Sequence, residues 1–412
     1  MHDSSQYRNI LLLGTAQLLA WGSSYYLAAM LAEPIARDLG LSSSFVFGLF
    51  SGALIVSAIA GPLAGWAIDR LGGRGVLMLA SALFAAGLCQ LALARSPLAL
   101  AAGWGLIGLG MGAGLYEGAF ATVVQLYGNQ SRRPITAITL LGGLASTVCW
   151  PLTAWLEGAM GWRHTCLVWS AVHLLAILPL YALLSRPPQR ALTHPAAGTE
   201  SEKSANGSGG QAQAAPAEQM PTDAPLRAAV LLSLIFALTW FISTAMAAHL
   251  PRLLQAQGIA PALALTLAAL VGLAQVAGRL LEFTFHRRLH PLLAARLAAA
   301  MHPLGAALFL LWGAPLGALF TLLHGLGNGI LTIAKGTLPL LLFGTQGYGL
   351  RQGLIMVPAR FAQALAPLAF GLALDAWGPQ ALWLCAGLGL VCLAALMALP
   401  RPQDQAARDS SA

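Results

Sequence analysis

Charged residues are scarce in this chain. Asp, Glu, Lys and Arg together make up 9% of its 412 residues, against about 25% in ordinary soluble domains. Hydrophobic residues make up 58%, more than a water-soluble fold can keep away from water. The composition therefore excludes a soluble globular protein and indicates a protein that lies in a lipid bilayer.

Motifs for catalysis and for metal binding are also missing. The five cysteines have no CxxC spacing and lie in apolar stretches, which argues against disulfides and zinc sites. HExxH, GxSxG and Walker lysine motifs do not occur, so we predict no enzyme activity, no catalytic residue, no metal and no cofactor. A GxGxxG pattern at 103–108 lies inside an apolar stretch, where close helix packing explains the glycines better than a nucleotide does.

Long apolar stretches are what the chain does contain. A bilayer core about 30 Å thick requires roughly 20 apolar residues per helix. Twelve stretches reach that length, and we number these predicted spans 1 to 12: 9–33, 44–68, 75–95, 98–127, 134–158, 163–184, 227–250, 261–285, 291–312, 314–343, 348–375 and 379–399. We predict an all-α membrane protein with two six-helix bundles, 1–184 and 227–400. Between them, 185–226 has the composition of a disordered linker, and 401–412 forms a tail.

The basic residues predict an orientation. With the amino terminus in the cytoplasm, fifteen of the 22 Lys and Arg residues fall in cytoplasmic segments, and four fall in external ones: Arg37, Arg95, Arg163 and Arg252. This is the positive-inside distribution of membrane proteins, and it accounts for the net charge of +8 without any nucleic acid. We expect both termini and the linker to be cytoplasmic.

The two halves resemble each other at a fixed offset of 217 residues. The offset aligns glycines 108, 110 and 112 with glycines 325, 327 and 329, and it also aligns Pro34 with Pro251, Gly61 with Gly278, Arg70 with Arg287 and Gly161 with Gly378. Six spans per copy give both halves the same orientation. A parallel repeat of this kind is the symmetry on which transport by rocking of two halves is built.

The stretch from Gly65 to Arg74 resembles the loop between helices 2 and 3 of the major facilitator superfamily. The family pattern is a glycine, three residues, Asp-Arg, one residue, and a glycine followed by two basic residues. Asp69 and Arg70 match it, while Gly73 stands at the first basic position and Arg74 carries the charge. The resemblance implies the two-bundle fold of that family and a gating role for Asp69, Arg70 and Arg74. The alternative is a charged turn that only anchors span 2.

Two positions depart from family patterns. In the second half His286 replaces the aspartate, which suggests that a second latch is weaker or absent. In span 5, the stretch 142–151 replaces the proline-glycine motif of drug/proton antiporters, which argues against a multidrug antiporter.

A looser resemblance is to the monocarboxylate and oxalate/formate branch of the superfamily. It rests on Tyr127, on the pair Arg132-Arg133 at the start of span 5, and on Arg279 in span 8. Gln275 stands where that branch tends to have an acid one turn before the span 8 arginine. The resemblance implies a small carboxylate as substrate.

Five charged residues fall deep inside predicted spans. Burying Arg or Lys at the centre of a membrane helix costs roughly 2.5 to 3.5 kcal/mol, so such residues usually face a cavity. Arg279, Lys335 and Arg360 are basic, whereas only Glu117 and Glu282 are acidic. The excess of positive charge predicts an anionic substrate.

Position along the chain predicts how these charges pair. Glu117 aligns with the neighbour of Lys335 in the repeat, so the two could form an ion pair, either permanent or switching, and Glu117 is the leading candidate for proton coupling. Arg279 and Glu282 lie three residues apart on one helix face and can neutralise each other. Arg360 has no charged neighbour, which makes it the candidate anchor for a substrate carboxylate. The alternative for Arg360 is an ion pair with another helix.

Polar and aromatic residues on the spans that line the cavity in this superfamily complete the predicted substrate site. Tyr and Trp also serve as anchors at the membrane surface, so each has that alternative. The candidates are Gln17, Trp21, Tyr25 and Tyr26 in span 1, Tyr116 in span 4, Trp240, Ser243, Thr244 and His249 in span 7, and His324 and Asn328 in span 10.

We therefore predict a monomeric secondary active transporter that moves a small organic anion by alternating access. The Ala, Leu and Gly richness and the compact loops favour a bacterial inner membrane. Two alternatives remain open at this point: a proton-coupled exporter of amphipathic or cationic compounds, and a membrane receptor or sensor that transports nothing.

Overall fold

The computed structural model describes residues 2–185, 223–285 and 289–400. Most of the predicted linker, the predicted tail and His286 lie outside the described residues. The described residues form fifteen α-helices joined by short turns.

The first half contains nine of these helices. Serine side chains cap the amino-terminal ends of two of them. Ser42 accepts a hydrogen bond from the amide of Phe45 at 3.1 Å, and Ser96 accepts one from the amide of Ala99 at 3.3 Å. The helices are α1 His2–Ser23, α2 Leu27–Leu39, α3 Ser43–Leu71, α4 Gly73–Leu93, α5 Pro97–Gly114, α6 Tyr116–Tyr127, α7 Arg132–Gly142, α8 Ala145–Val172 and α9 Leu178–Ala182. Helix α8 turns at Gly161, and a π-helical turn, His173–Ile177, leads into α9.

The second half has longer, uninterrupted helices. They are α10 Asp223–Ala256, α11 Pro261–Phe285, α12 Pro291–Trp312, α13 Gly317–Phe343, α14 Tyr348–Trp377 and α15 Leu382–Met397. Each corresponds to one predicted span, from 7 to 12.

Eight helical stretches of the described chain are long and apolar enough to cross a membrane. Two of them hold more than one predicted span: Pro97–Ala182 covers spans 4 to 6, and Tyr348–Met397 covers spans 11 and 12. Helices α1 and α2 together form span 1. The prediction of twelve transmembrane helices in two bundles is confirmed.

The glycines that suggested an internal repeat pack in equivalent ways in the two halves. A Cβ atom on Gly112 would lie 2.8 Å from the carbonyl oxygen of Ser57, and one on Gly329 would lie 2.3 Å from that of Gln275. The first contact joins spans 4 and 2, and the second joins spans 10 and 8. Glycine is needed at both positions because the helix backbones approach too closely for a side chain.

Three spans of the first half break inside the membrane. Span 1 breaks between α1 and α2, span 4 at Leu115 and span 5 around Gly143. Broken helices leave backbone groups without helical partners, so they are tolerated at membrane depth only where protein or a cavity satisfies those groups. These breaks position the aromatic and charged side chains of the candidate site.

The halves meet on one side of the protein, the side that carries the loop between α3 and α4, which we call the Asp69 face. Contacts between the halves run from α3 and α6 to α14 and from α7 to α11 and α13. A Cβ atom on Gly65 would lie 2.0 Å from the carbonyl oxygen of Gly349, and one on Gly353 would lie 2.6 Å from Cα of Pro62. Glycine therefore permits direct backbone contact between α3 and α14, and the Asp69 face is closed.

Candidate functional site

The break in span 4 presents Glu117 to the second half. Helix α5 ends at Gly114, Leu115 is extended, and α6 begins again at Tyr116. The side-chain amide of Gln17 donates a 2.7 Å hydrogen bond to the carbonyl oxygen of Gly114, which the break has freed. Gln17, predicted to bind substrate, thus holds the break in place and also lies 3.4 Å from the hydroxyl of Tyr181.

Glu117 forms an ion pair with Arg360 of span 11. Nη2 of Arg360 donates to Oε2 of Glu117 at 2.8 Å, and the side chains are 4% and 14% exposed. Nη1 of Arg360 donates to Gln363 at 3.1 Å. Of the two roles considered for Arg360, the structure shows the ion pair with another helix, and the partner lies 243 residues away along the chain. The pair joins the two halves near the centre of the protein.

Trp240 lies beside this pair and contacts both halves. Its ring stacks on that of Trp21, with centroids 6.3 Å apart and an interplanar angle of 13°. The ammonium of Lys335 lies 3.7 Å from the centre of the Trp240 ring, and the guanidinium of Arg360 lies 5.5 Å from it. Lys335 is also within electrostatic reach of Glu117. We call Trp21, Glu117, Trp240, Arg279, Lys335 and Arg360 the central cluster.

Arg279 enters the cluster from span 8 without a carboxylate partner. It is 5% exposed, and its Nε and Nη1 atoms make no hydrogen bond within the described chain, while Nη2 lies 3.5 Å from Gln275. A Cβ atom on Gly143 would lie 1.6 Å from Nη1, so the guanidinium rests against the break in span 5. The expected pairing of Arg279 with Glu282 is wrong, because Glu282 pairs with Arg132 at 2.7 Å.

The cluster carries more positive than negative charge. Three cations, Arg279, Lys335 and Arg360, surround the single carboxylate of Glu117, which is bound to Arg360. Neither Lys335 nor Arg279 forms an ion pair with any carboxylate that the structure describes. The expected direct pair of Glu117 with Lys335 is therefore replaced by the pair with Arg360, and the described part of the chain supplies no carboxylate to the other two buried cations.

Aromatic rings of the first half surround Trp21. Tyr25 and Tyr116 lie 5.3 and 5.0 Å from it between ring centroids, and Tyr26 lies 6.2 Å away. Tyr26 also contacts Trp150 at 5.8 Å. Sequence reasoning did not select Trp150, because nothing distinguishes it from the other tryptophans at membrane depth.

His324 and Asn328, both predicted to bind substrate, form their side-chain hydrogen bonds with residues outside the central cluster. Nδ1 of His324 lies 2.9 Å from Nδ1 of His302, and the amide of Asn328 donates to Ser243 at 2.9 Å. The four residues line a small pocket between α10, α12, α13 and α15. His302 was not among the predicted residues, and only the fold brings it to His324.

The Asp69 face carries two sets of polar contacts between the halves. Asp69 accepts hydrogen bonds from the amides of Gly349 and Leu350, at 2.9 and 2.8 Å, at the start of α14. Arg132 donates to Glu282 and, at 3.0 Å, to the carbonyl oxygen of Leu289. The expectation of a weak or absent second latch, based on His286, did not foresee this second contact.

The other two predicted gating residues do not bridge the halves through the described contacts. The guanidinium of Arg70 lies 5.1 Å from the ring centre of Trp66, one turn earlier in the same helix. Arg74 lies in the first turn of α4 and is partly exposed.

Comparison with known proteins identifies the family. The family model of the Major Facilitator Superfamily matches residues 13–334. The chain belongs to the Major Facilitator Superfamily. Among curated proteins, an uncharacterized 38 kDa protein in a 23S RNA operon of Thermoproteus tenax is 34% identical over 183 residues, which are 42% of this chain and 48% of that protein. The chain thus spans about half the length of the curated relative it matches.

Solved structures share the fold. The human organic anion transporter MFSD10 (TETRAN) is 17% identical with a TM-score of 0.71, over 95% of this chain and 99% of that one. The Escherichia coli fucose:proton symporter FucP is 16% identical with a TM-score of 0.72, over 96% of this chain and all of that one. At these identities the likeness shows the fold alone. The chain thus has the family and the fold of multi-pass membrane transporters.

Proposed function

We propose that this protein moves a small organic anion across a bacterial inner membrane by alternating access. The observation that carries the proposal is a pair of buried cations, Arg279 and Lys335, that have no ion-pair partner among the carboxylates of residues 2–185, 223–285 and 289–400. A buried charge without a partner costs several kcal/mol. A bound carboxylate would supply the missing negative charge.

The two cations can each bind a substrate carboxylate, in different ways. The guanidinium of Arg279 has two nitrogens, Nε and Nη1, that donate to no group in the described chain, and a guanidinium makes strong charge-assisted hydrogen bonds to a carboxylate. Lys335 is held by the face of the Trp240 ring, an attraction of about 2 kcal/mol or more when desolvated. A carboxylate is the stronger partner and would displace the ring. Arg360 was predicted to bind the substrate carboxylate. We assign this role to Arg279 and Lys335 instead, because Arg360 is already paired with Glu117.

The contacts at the Asp69 face support alternating access. The carboxylate of Asp69 lies at the amino-terminal end of α14, where the helix dipole favours negative charge. Because this contact and the pair of Arg132 with Glu282 cross between the halves, both must break before this face opens. If the basic loops are cytoplasmic, the structure is closed to the cytoplasm, with Asp69, and through its loop Arg70 and Arg74, acting as a gate.

Proton coupling is assigned to Glu117. Its pair with Arg360 is almost entirely buried and joins the halves, so protonation of the carboxylate would release Arg360 and loosen the centre of the interface. Glu117→Gln should flatten the pH dependence of transport and leave substrate exchange intact. Glu157→Gln is the control, since Glu157 lies in α8 outside the central cluster. A pH profile that is the same in Glu117→Gln and wild type would assign Glu117 a structural role only.

The substrate class can be tested on purified protein. A ligand present at 100 times its dissociation constant adds about 2.7 kcal/mol to stability, so a melting-temperature screen against small carboxylates and small organic cations distinguishes the two alternatives. Anions should raise the melting temperature, and Arg279→Gln should abolish the effect while the exposed Arg95→Gln retains it. Stabilisation by cations and not by anions would favour the exporter of cationic compounds instead.

A further inference from the structure

The two tryptophans of the central cluster face each other across the interface between the halves. Trp21 lies in the last turn of α1, just before the break in span 1, and Trp240 lies in span 7; their rings are nearly parallel at 6.3 Å between centroids. Since each belongs to a different bundle, the distance between them changes whenever the bundles move relative to each other.

The indole N–H groups of both tryptophans also lack a hydrogen-bond acceptor in the described chain. Trp21 is 4% exposed and Trp240 is 8% exposed, and neither indole N–H donates a hydrogen bond within the described chain. A buried indole N–H usually finds an acceptor. The rings therefore offer two flat apolar faces and two donors close to the two unpaired cations.

We propose that the transported anion is an aromatic carboxylate whose ring inserts between Trp21 and Trp240 while its carboxylate binds Lys335 and Arg279. This rests on the proposed function, and it specifies the substrate class for the same site. Two contact layers of stacked carbon atoms need about 7 to 8 Å. In the present closed arrangement the two rings stack on each other, so the bundles must separate before a ligand ring can enter between their planes.

The geometry also links the ring to the charge. The ammonium of Lys335 lies 3.7 Å from the centre of the Trp240 ring. A ligand ring that packs against Trp240 therefore brings its carboxylate close to this ammonium. Tyr25 and Tyr116, which contact Trp21, extend the aromatic wall on the first half. An aliphatic anion such as acetate would satisfy the charge but leave these ring faces uncovered.

The decisive comparison is between benzoate and cyclohexanecarboxylate. Both carry one carboxylate on a six-membered ring, but only benzoate is flat and aromatic. Stacking on two rings should make benzoate bind roughly 5- to 150-fold more tightly, as measured by isothermal titration calorimetry on the purified full-length protein. Trp21→Leu should remove this preference and Trp21→Phe should keep most of it. Trp155→Leu, a change at a tryptophan that is 65% exposed, should leave it unchanged.

The outcomes separate this inference from the proposed function. Equal affinity for the two acids would overturn the aromatic site and leave the organic anion transporter standing. A preference for benzoate that survives in Trp21→Leu would also overturn it, because the ring would then bind elsewhere. If neither of these acids nor any other carboxylate binds, the proposed function fails as well. The comparison of the two acids on the wild-type protein decides the question even where a tryptophan variant does not fold.

Discussion

Removal of Arg360 should destabilise the protein, because it leaves the carboxylate of Glu117 buried without its partner. The pair has a 2.8 Å contact, and its side chains are 4% and 14% exposed. The variant to make is Arg360→Ala. Its partner variant, Glu117→Gln, removes the negative charge but keeps the size of the side chain.

The size of the effect follows from burial. Breaking a buried ion pair by removing one partner costs about 3 to 5 kcal/mol. Lys335 lies within electrostatic reach of Glu117 and can compensate in part, so we expect about 3 kcal/mol. With an unfolding entropy of about 2 cal/mol/K per residue, a chain of 412 residues loses about 1 °C per kcal/mol, or about 3 °C in all. The double variant leaves no stranded acid and should recover most of this loss.

The assay is a double-mutant cycle on melting temperatures of the purified protein without ligand. The coupling between the two positions should reach about 1 to 3 kcal/mol. Glu33 and Arg37 provide the control, because they form a pair of the same 2.8 Å length with both side chains 75% exposed, and exposed pairs couple by about 0.2 to 1 kcal/mol. Additive effects at 117 and 360, or an Arg360→Ala variant as stable as wild type, would refute the reasoning and free Arg360 to bind substrate directly.

Three other predictions concern the gate, the site and the linker. Asp69→Asn should speed hydrogen exchange of the amides of 349 and 350 roughly 2- to 30-fold, since a cap is worth about 0.5 to 2 kcal/mol; Asp38→Asn is the control, and unchanged exchange would contradict the latch. Gly143→Ala should displace Arg279 and weaken anion binding at least about tenfold, whereas Gly158→Ala, which has open space around it, should bind as wild type does. Trimming residues 193–222 should leave transport in membrane vesicles near wild type, because loop length changes closure entropy by about 0.6 kcal/mol per doubling; loss of transport at normal abundance would reveal a role for the linker.

The ion-pair partners of the buried charges could not be predicted from their spacing in the sequence. Arg279 and Glu282 are three residues apart, and this spacing allows an ion pair on a helix. Glu282 instead meets Arg132, 150 residues away, and Arg279 is left against Gly143. Coulomb energy depends on distance and burial, and both are set by which helices face each other across the interface.

The helix breaks illustrate the same limit. Leu115 is an ordinary apolar residue, and the alternating glycines before it, from Gly108 to Gly114, are explained by close helix packing as readily as by a break. The break that places Glu117 beside Arg360 depends on Gln17 of another helix, which binds the carbonyl oxygen that the break frees. A single span read alone predicts a continuous helix.

The sequence by itself determined the number of membrane helices, the division into two halves and the repeat that relates them. These features are local, because each crossing must supply its own apolar length and its own backbone hydrogen bonds. It also selected all six residues of the central cluster, since charges and aromatic rings at membrane depth are rare and therefore visible. Only the tertiary structure decided which of these residues are paired, because the distances that govern pairing join residues from separate halves of the chain.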